Sequence, residues 1–151
     1  MNFQMKREQA GMFDLEHIGY VEGDIELNNG QFEYPLWARV LHPGGGSSYA
    51  VSYAPQKIVE SYQGGEKPQI LFIGHYHKQS YNVIRNIHVI QIGCTVDQSI
   101  FLRKKKIDVH VGGGITELRR APDGTINRCR VEMITAYDRK FYIGKDKYWK
   151  A

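Results

Sequence analysis

Two periods alternate in the apolar positions of this chain. Residues 17–27 are extended in character and rich in Ile, Val and Tyr, and Asn28-Asn29-Gly30 is a hairpin signal, because Asn and Gly tolerate positive φ. Residues 32–41 read as the second strand of that antiparallel pair. After His42 comes the loop Pro43-Gly44-Gly45-Gly46, with Ser47 or Ser48 as the expected N-cap of a helix. Over residues 49–62 the apolar positions Ala50, Val51, Ala54, Ile58, Val59 and Tyr62 recur at helical spacing. Gly64-Gly65 should stop this helix, and Pro68 keeps it from resuming. Ile70-Leu71-Phe72-Ile73 is apolar throughout, the mark of a strand covered on both faces. Residues 39–73 therefore predict strand, helix, strand: a βαβ unit with a parallel sheet and a right-handed crossover.

Ile87–Ile92 predicts a further strand, and residues 95–105 fit either a short helix or a turn. Residues 107–118 read as a strand interrupted by Gly112-Gly113-Gly114. Pro122-Asp123-Gly124 is a turn signal, after which residues 128–137 should pair back antiparallel. The charged and aromatic residues 138–151 fall in no predicted element, and there is no internal repeat.

Composition narrows this picture only modestly. The 151 residues suit one domain, with 42% apolar and 24% charged residues. No apolar run is long enough to span a bilayer, so no membrane partner is expected. The first sixteen residues mix Lys6, Arg7, Glu8, Asp14 and Glu16 and lack the apolar core of a signal peptide, so the expected location is cytoplasmic. Cys94 and Cys129 stand far apart with no CxxC pair, which excludes a zinc ribbon and predicts two buried thiols. The net charge of +4 is concentrated in Arg103-Lys104-Lys105-Lys106 and Arg119-Arg120, which suits a phosphate-bearing partner without requiring one.

Three histidines change the picture more. His42 follows directly on the first strand of the βαβ unit, and His75 and His77 follow directly on the second. Ligands of open α/β sheets bind beyond the carboxyl ends of parallel strands, so patterning brings all three to one rim. In extended backbone His75 and His77, two residues apart, would share a face, and neutral imidazoles there could ligate one ion or two adjacent ions. Gly74 allows a sharp turn beside them. An HxH pair alone is a weak signal, and the glycine loop after His42 reads equally as a plain helix entry or as an anion nest.

The stretch Val40-Leu41-His42-Pro43-Gly44-Gly45, then Tyr49-Ala50, Gln56-Lys57, Lys67-Pro68 and Gly74-His75-Tyr76-His77-Lys78, resembles the calcineurin-like metallophosphoesterase family, C-terminal half of the domain. Gln91-Ile92-Gly93 with Gln98-Ser99-Ile100-Phe101 is similar to the strand and loop that follow the GHxH element there. The resemblance covers about residues 17–118 of a single domain, 1–151. It implies an α/β fold: a partial α/β/β/α sandwich with a βαβ unit and a following, mostly antiparallel β-sheet. It implies a hydrolase of phosphomonoesters or phosphodiesters, nucleic acid among them, that works through divalent metal: Mn2+ first, with Zn2+ or Fe2+ as alternatives. By resemblance His42 and His75 ligate one ion and His77 the other, while Gly44, Gly45, Tyr76 and Lys78 are candidates to contact substrate.

The chain departs from the family on the carboxylate side. The DxH, GD and GNH motifs that supply the remaining ligands should precede His42, and none is found. Gly23-Asp24 is a GD dipeptide in a strand and reads as a surface acid; Asp108-Val109-His110 has DxH spacing but lies after GHxH. His17, His88 and Asp14 have no arguable partners. Half a sandwich should leave strands such as Ile70–Ile73 bare on one face, which predicts a homo-oligomer or a complementing N-terminal half. The competing expectations are a non-catalytic metallophosphoesterase-like subunit, binding nucleic acid through residues 103–106 and 119–120, and a structural fragment with vestigial histidines.

Overall fold

The computed structural model describes residues 19–27, 32–46 and 48–136. Among them β1 (Glu22–Glu26), β2 (Trp37–Leu41), α1 (Tyr53–Ser61), β3 (Ile70–Ile73), β4 (Gln79–Ile84), β5 (Ile87–Ile92), α2 (Ile100–Lys104), β6 (Gly112–Arg120) and β7 (Ile126–Thr135) follow in order. The first five strands form one sheet in the order β1-β2-β3-β5-β4, and β6 and β7 form a separate hairpin. β2, β3 and β5 run parallel, and β1 and β4 pair antiparallel at the two edges. The chain is thus a mixed α/β protein with the expected βαβ unit across β2, α1 and β3.

Alternation along β3 divides the interior into two layers. Leu71 and Ile73 point to one face, where they join Leu41, Val59, Ile87 and Val89 beneath α1. Ile70 points to the other, with Leu36, Ala38 and Ile90, and the hairpin covers that layer with Leu118, Ile126, Val131 and Met133. Ile70 and Leu71 are 0% exposed and Ile73 is 1% exposed. The expectation of a bare face on Ile70–Ile73 is therefore wrong, because a helix and a hairpin from this same chain close over the strand. With it goes that argument for association.

α1 starts at Tyr53, later than residue 49, and Ser52 occupies the N-cap position in place of Ser48; Ser47 lies outside the described residues. Pro55 explains the delay. It is tolerated in a first turn but lacks the N–H that would bond to the carbonyl of Val51 four residues back. The buried Gln91 supplies that donor instead, its Nε2 lying 3.0 Å from the Val51 oxygen and 2.7 Å from Ser80 Oγ. A polar side chain that is 2% exposed is thus satisfied by what a proline leaves open.

β4 was not expected. Its inward positions include Ser80 and Asn82, whereas Tyr81 and Val83 are exposed, so its polarity runs opposite to an ordinary half-buried strand. The two-residue turn Arg85-Asn86, with φ of 49° and 65°, joins it to β5 in the manner of a type I′ hairpin. The residues 95–105 left open contain α2. The Pro122-Asp123-Gly124 turn and the antiparallel return fall where expected, with Asp123 Oδ1 accepting from the Thr125 amide at 2.9 Å. Asn28-Asn29-Gly30, His17, Asp14 and residues 138–151 lie outside the described residues.

The strand expected over 107–118 begins only at the glycine run: residues 107–110 are not strand, and β6 starts with Gly112 opposite Thr135 and Gly113 opposite Ile134. Glycine is there for close approach. Gly112 has φ of 147°, and a Cβ on it would run into the Ile134 carbonyl. Gln79 fills the crowded side, its Nε2 donating to the carbonyls of Gly113 and Ile134 at 3.0 Å each. Gly113 faces open space. Gly112→Ala should cost about 2 kcal/mol of stability, against about 0.5 kcal/mol or less for Gly113→Ala, as urea denaturation of the two variants will measure.

Candidate functional site

Parallel pairing positions the site. Leu41 is in register with Ile73, and the Gly74 amide donates to the Leu41 carbonyl at 2.9 Å, so the two strands end together. His42 and His75 emerge side by side from those ends. His75 Nδ1 lies 3.2 Å from His42 Nε2, with ring centroids 4.9 Å apart at 73°. A Cβ on Gly74 would sit 3.5 Å from His42 Nδ1, in ordinary contact with the ring that folds over it.

The loop is not extended. His75 has φ of 71° and His77 φ of 55°, both left-handed. The two imidazoles therefore do not share a strand face, and it is His42 that His75 meets. Left-handed backbone costs a residue with a Cβ about 1–2 kcal/mol, a strain that concentrates at functional sites. His77 takes a separate course. Its carbonyl accepts from the His110 amide at 2.9 Å, while its Nδ1 is buried with no hydrogen-bond partner.

Hydrogen bonding fixes the tautomers of the pair. The Gly45 carbonyl lies 2.8 Å from His75 Nε2, so Nε2 carries the hydrogen and Nδ1 presents a lone pair. His42 Nε2 must then donate to it. This is also how proteins prepare a metal-ligating histidine, with a backbone carbonyl holding the far ring nitrogen. Two imidazole nitrogens on one tetrahedral zinc, each roughly 2.0–2.1 Å from it, stand about 3.3 Å apart. The observed 3.2 Å fits that spacing, provided His42 moves its hydrogen to Nδ1. The two nitrogens are thus spaced as two ligands of one ion would be, and His77 lines the same cavity. Among the described residues no group of three His, Cys, Asp or Glu side chains closes around a single point.

The cavity above the pair measures about 530 Å3 and is lined by all three histidines, Gly45, Gly46, Tyr76, Phe101, Leu102, Lys105 and Ile107. None of these is an acid. Tyr76 packs against the α1-side core, and burial pushes its hydroxyl pKa up. Gly45 contributes its carbonyl to His75, and Gly44 lines a neighbouring cleft. The Lys78 ammonium donates to the Asp108 carbonyl at 2.7 Å, which ties the histidine loop to the chain ahead of β6. His110 is equally structural, its Nδ1 accepting from the Gln79 amide at 3.0 Å. The DxH-spaced Asp108 and His110 therefore hold the loop in place.

Asp24 lies directly across from Arg39, and the two make a two-pronged ion pair at 2.7 and 2.8 Å. The guanidinium holds the Asp24 carboxyl below the usual range, and Arg39 also stacks over Tyr62 at 5.1 Å. Gly23-Asp24 is a strand acid, as expected. Arg120 lies over Phe32 at 4.0 Å and donates to the carbonyls of Gly124 and Tyr34, which occupies it within the fold. The Tyr81 hydroxyl is hydrogen-bonded to His88 Nδ1 at 2.8 Å, giving His88 the partner that the sequence did not suggest, and burial lowers the His88 pKa. The cysteines are free and half-buried rather than fully buried.

Sequence patterning missed the wall formed by Phe101, Leu102, Lys105 and Ile107. Its only trace was the apolar triplet Ile100-Phe101-Leu102 ahead of a basic run, which looks like any solvated turn. Compared with known proteins, the chain matches no family model, no curated protein and no solved structure. No helix among the described residues is long and apolar enough to cross a membrane.

The strain at the histidine loop is directly measurable. His77→Gly should be about 1 kcal/mol more stable than His77→Ala in metal-free urea denaturation, because glycine alone is at ease in the left-handed region. Equal stability of the two variants would contradict the left-handed assignment.

Proposed function

We propose that the chain carries the histidine side of a metal-dependent phosphoesterase site, with His42 and His75 as ligands of one divalent ion and His77 as the ligand of a second. The observation that carries this reading is the pair of nitrogens 3.2 Å apart at the ends of two parallel strands, with the Gly45 carbonyl orienting His75. The resemblance to calcineurin-like metallophosphoesterases assigns the same three histidines. By the resemblance the ion would be Mn2+, with Zn2+ or Fe2+, which imidazole donors suit, as the alternatives. The chemistry such an ion supplies is Lewis-acid polarisation of a phosphoryl group and a nucleophile drawn from water at neutral pH.

The chain's own residues do the remaining work. Gly45 holds His75 in the tautomer that offers its lone pair. Lys105, exposed at the cavity, attracts the phosphate. Phe101, Leu102 and Ile107 limit the water around it. Among the described residues no carboxylate lines the cavity, so bridging and charge compensation would come from a complementing segment bearing DxH, GD and GNH motifs, or from a second copy of this chain. Phosphomonoesters or phosphodiesters, nucleic acid included, are the substrates in this reading.

The missing acids favour one alternative, a non-catalytic subunit that kept the histidine rim and binds nucleic acid through residues 103–106. DNA binding that needs no metal and weakens with salt would support that alternative.

Metal analysis separates the readings. The purified chain should hold Mn2+ or Zn2+ at about one ion per chain, with affinity reduced at least about tenfold in His75→Ala and His42→Ala. Cleavage of a bis-aryl phosphate should be slight alone and rise when the carboxylate half is added. No metal on the wild-type chain would overturn the proposal.

A further inference from the structure

The proposed site has a wall that the metal reading does not use. α2 buries none of its side chains: Phe101 is 64% exposed and Ile100 is 73% exposed. A five-residue helix with no buried face gains little from packing. Instead it is pinned at both ends by hydrogen bonds. Ser99 Oγ accepts from the Leu102 amide at 3.3 Å, the Ile107 amide donates to the Leu102 carbonyl at 3.0 Å, and Gln98 Nε2 donates to the Ile107 carbonyl at 2.8 Å. Phe101, Leu102 and Ile107 are thereby held against the histidine cavity without belonging to the core.

That wall restricts what the cavity can take. Bare phosphate would fill a small part of about 530 Å3 and leave the apolar side chains facing water. The volume lies in the range of small-molecule sites, roughly 300–1,000 Å3, which favours a compact ester over a folded phosphoprotein. Among the described residues that line it Lys105 is the one lysine or arginine, so the wall offers charge for a single phosphoryl group and an aromatic face beside it.

We infer that this site takes a phosphoester whose leaving group carries a flat aromatic ring, aryl or nucleobase, stacked on Phe101 with the phosphoryl group between Lys105 and the His42–His75 pair. The inference rests on the phosphoester reading above and adds the substrate class. Phe101 is then a specificity residue and leaves the metal untouched. Stacking of a ring on an aromatic side chain contributes enough to separate ligands that differ only in the ring.

The test is binding to the full chain loaded with Mn2+, measured by calorimetry. Phenylphosphonate is compared with methylphosphonate, and adenosine 5′-monophosphate with ribose 5-phosphate, so the two arms distinguish an aryl from a nucleobase. The ring should tighten binding about tenfold, the change that roughly 1.4 kcal/mol gives. Phe101→Ala should abolish that preference, whereas Phe101→Tyr should keep it. Phe101 is largely exposed, so both variants should fold, and circular dichroism checks this. Metal-dependent binding of both phosphonates with no ring preference would overturn the inference and leave the phosphoester reading standing. A ring preference that survives Phe101→Ala would overturn the assignment to Phe101. No metal-dependent phosphonate binding at all would overturn both.

Discussion

Parallel pairing of β2 with β3, in the register that sets Leu41 against Ile73, constrains most of what this chain can do. A parallel pair needs a crossover, and here α1 provides it and covers one face in passing. The other face is left to the β6–β7 hairpin, so β3 is enclosed from both sides and its four apolar residues become the centre of the fold. Because both strands terminate at the same level, the residues that follow them, His42 and Gly74-His75, are delivered to one rim. The site geometry is in this sense a consequence of the register.

Enclosure of the strand then allows strain at its end. The Gly74 amide is anchored to the Leu41 carbonyl, and the Lys78 ammonium and the His110 amide bind the loop from the other side. Between these anchors His75 and His77 stay in left-handed backbone, at a cost that the buried sheet can carry. An unstrained loop would continue extended and alternate its side chains. The strained one turns His75 back onto His42, and it leaves a buried nitrogen of His77 without a partner. At this rim, backbone rather than side-chain chemistry decides which nitrogens meet.

How much of this could be read from sequence follows from the strength of each local signal. The all-apolar β3 and the Pro122-Asp123-Gly124 turn carry their own explanation and lie where expected, and the helical spacing ahead of Gly64-Gly65 gives α1, which starts late, at Tyr53. β4 was hidden because its inward, half-buried positions include Ser80 and Asn82, satisfied in part by Gln91 across the sheet, a partnership no window of sequence reveals. The glycine run of β6 looked like a break because close approach to Ile134 and Gln79 is a tertiary fact. Likewise the rim placement of His42, His75 and His77 followed from strand ends, but the His42–His75 contact depended on two positive φ angles. The α2 wall left no periodic trace, since nothing in it faces the core.

The most direct test of the central claim is X-ray absorption on the zinc-loaded chain. The account predicts a first shell containing two imidazole nitrogens, with one of them lost in His75→Ala and one in His42→Ala. A spectrum without imidazole scattering, or one unchanged by both substitutions, would contradict it.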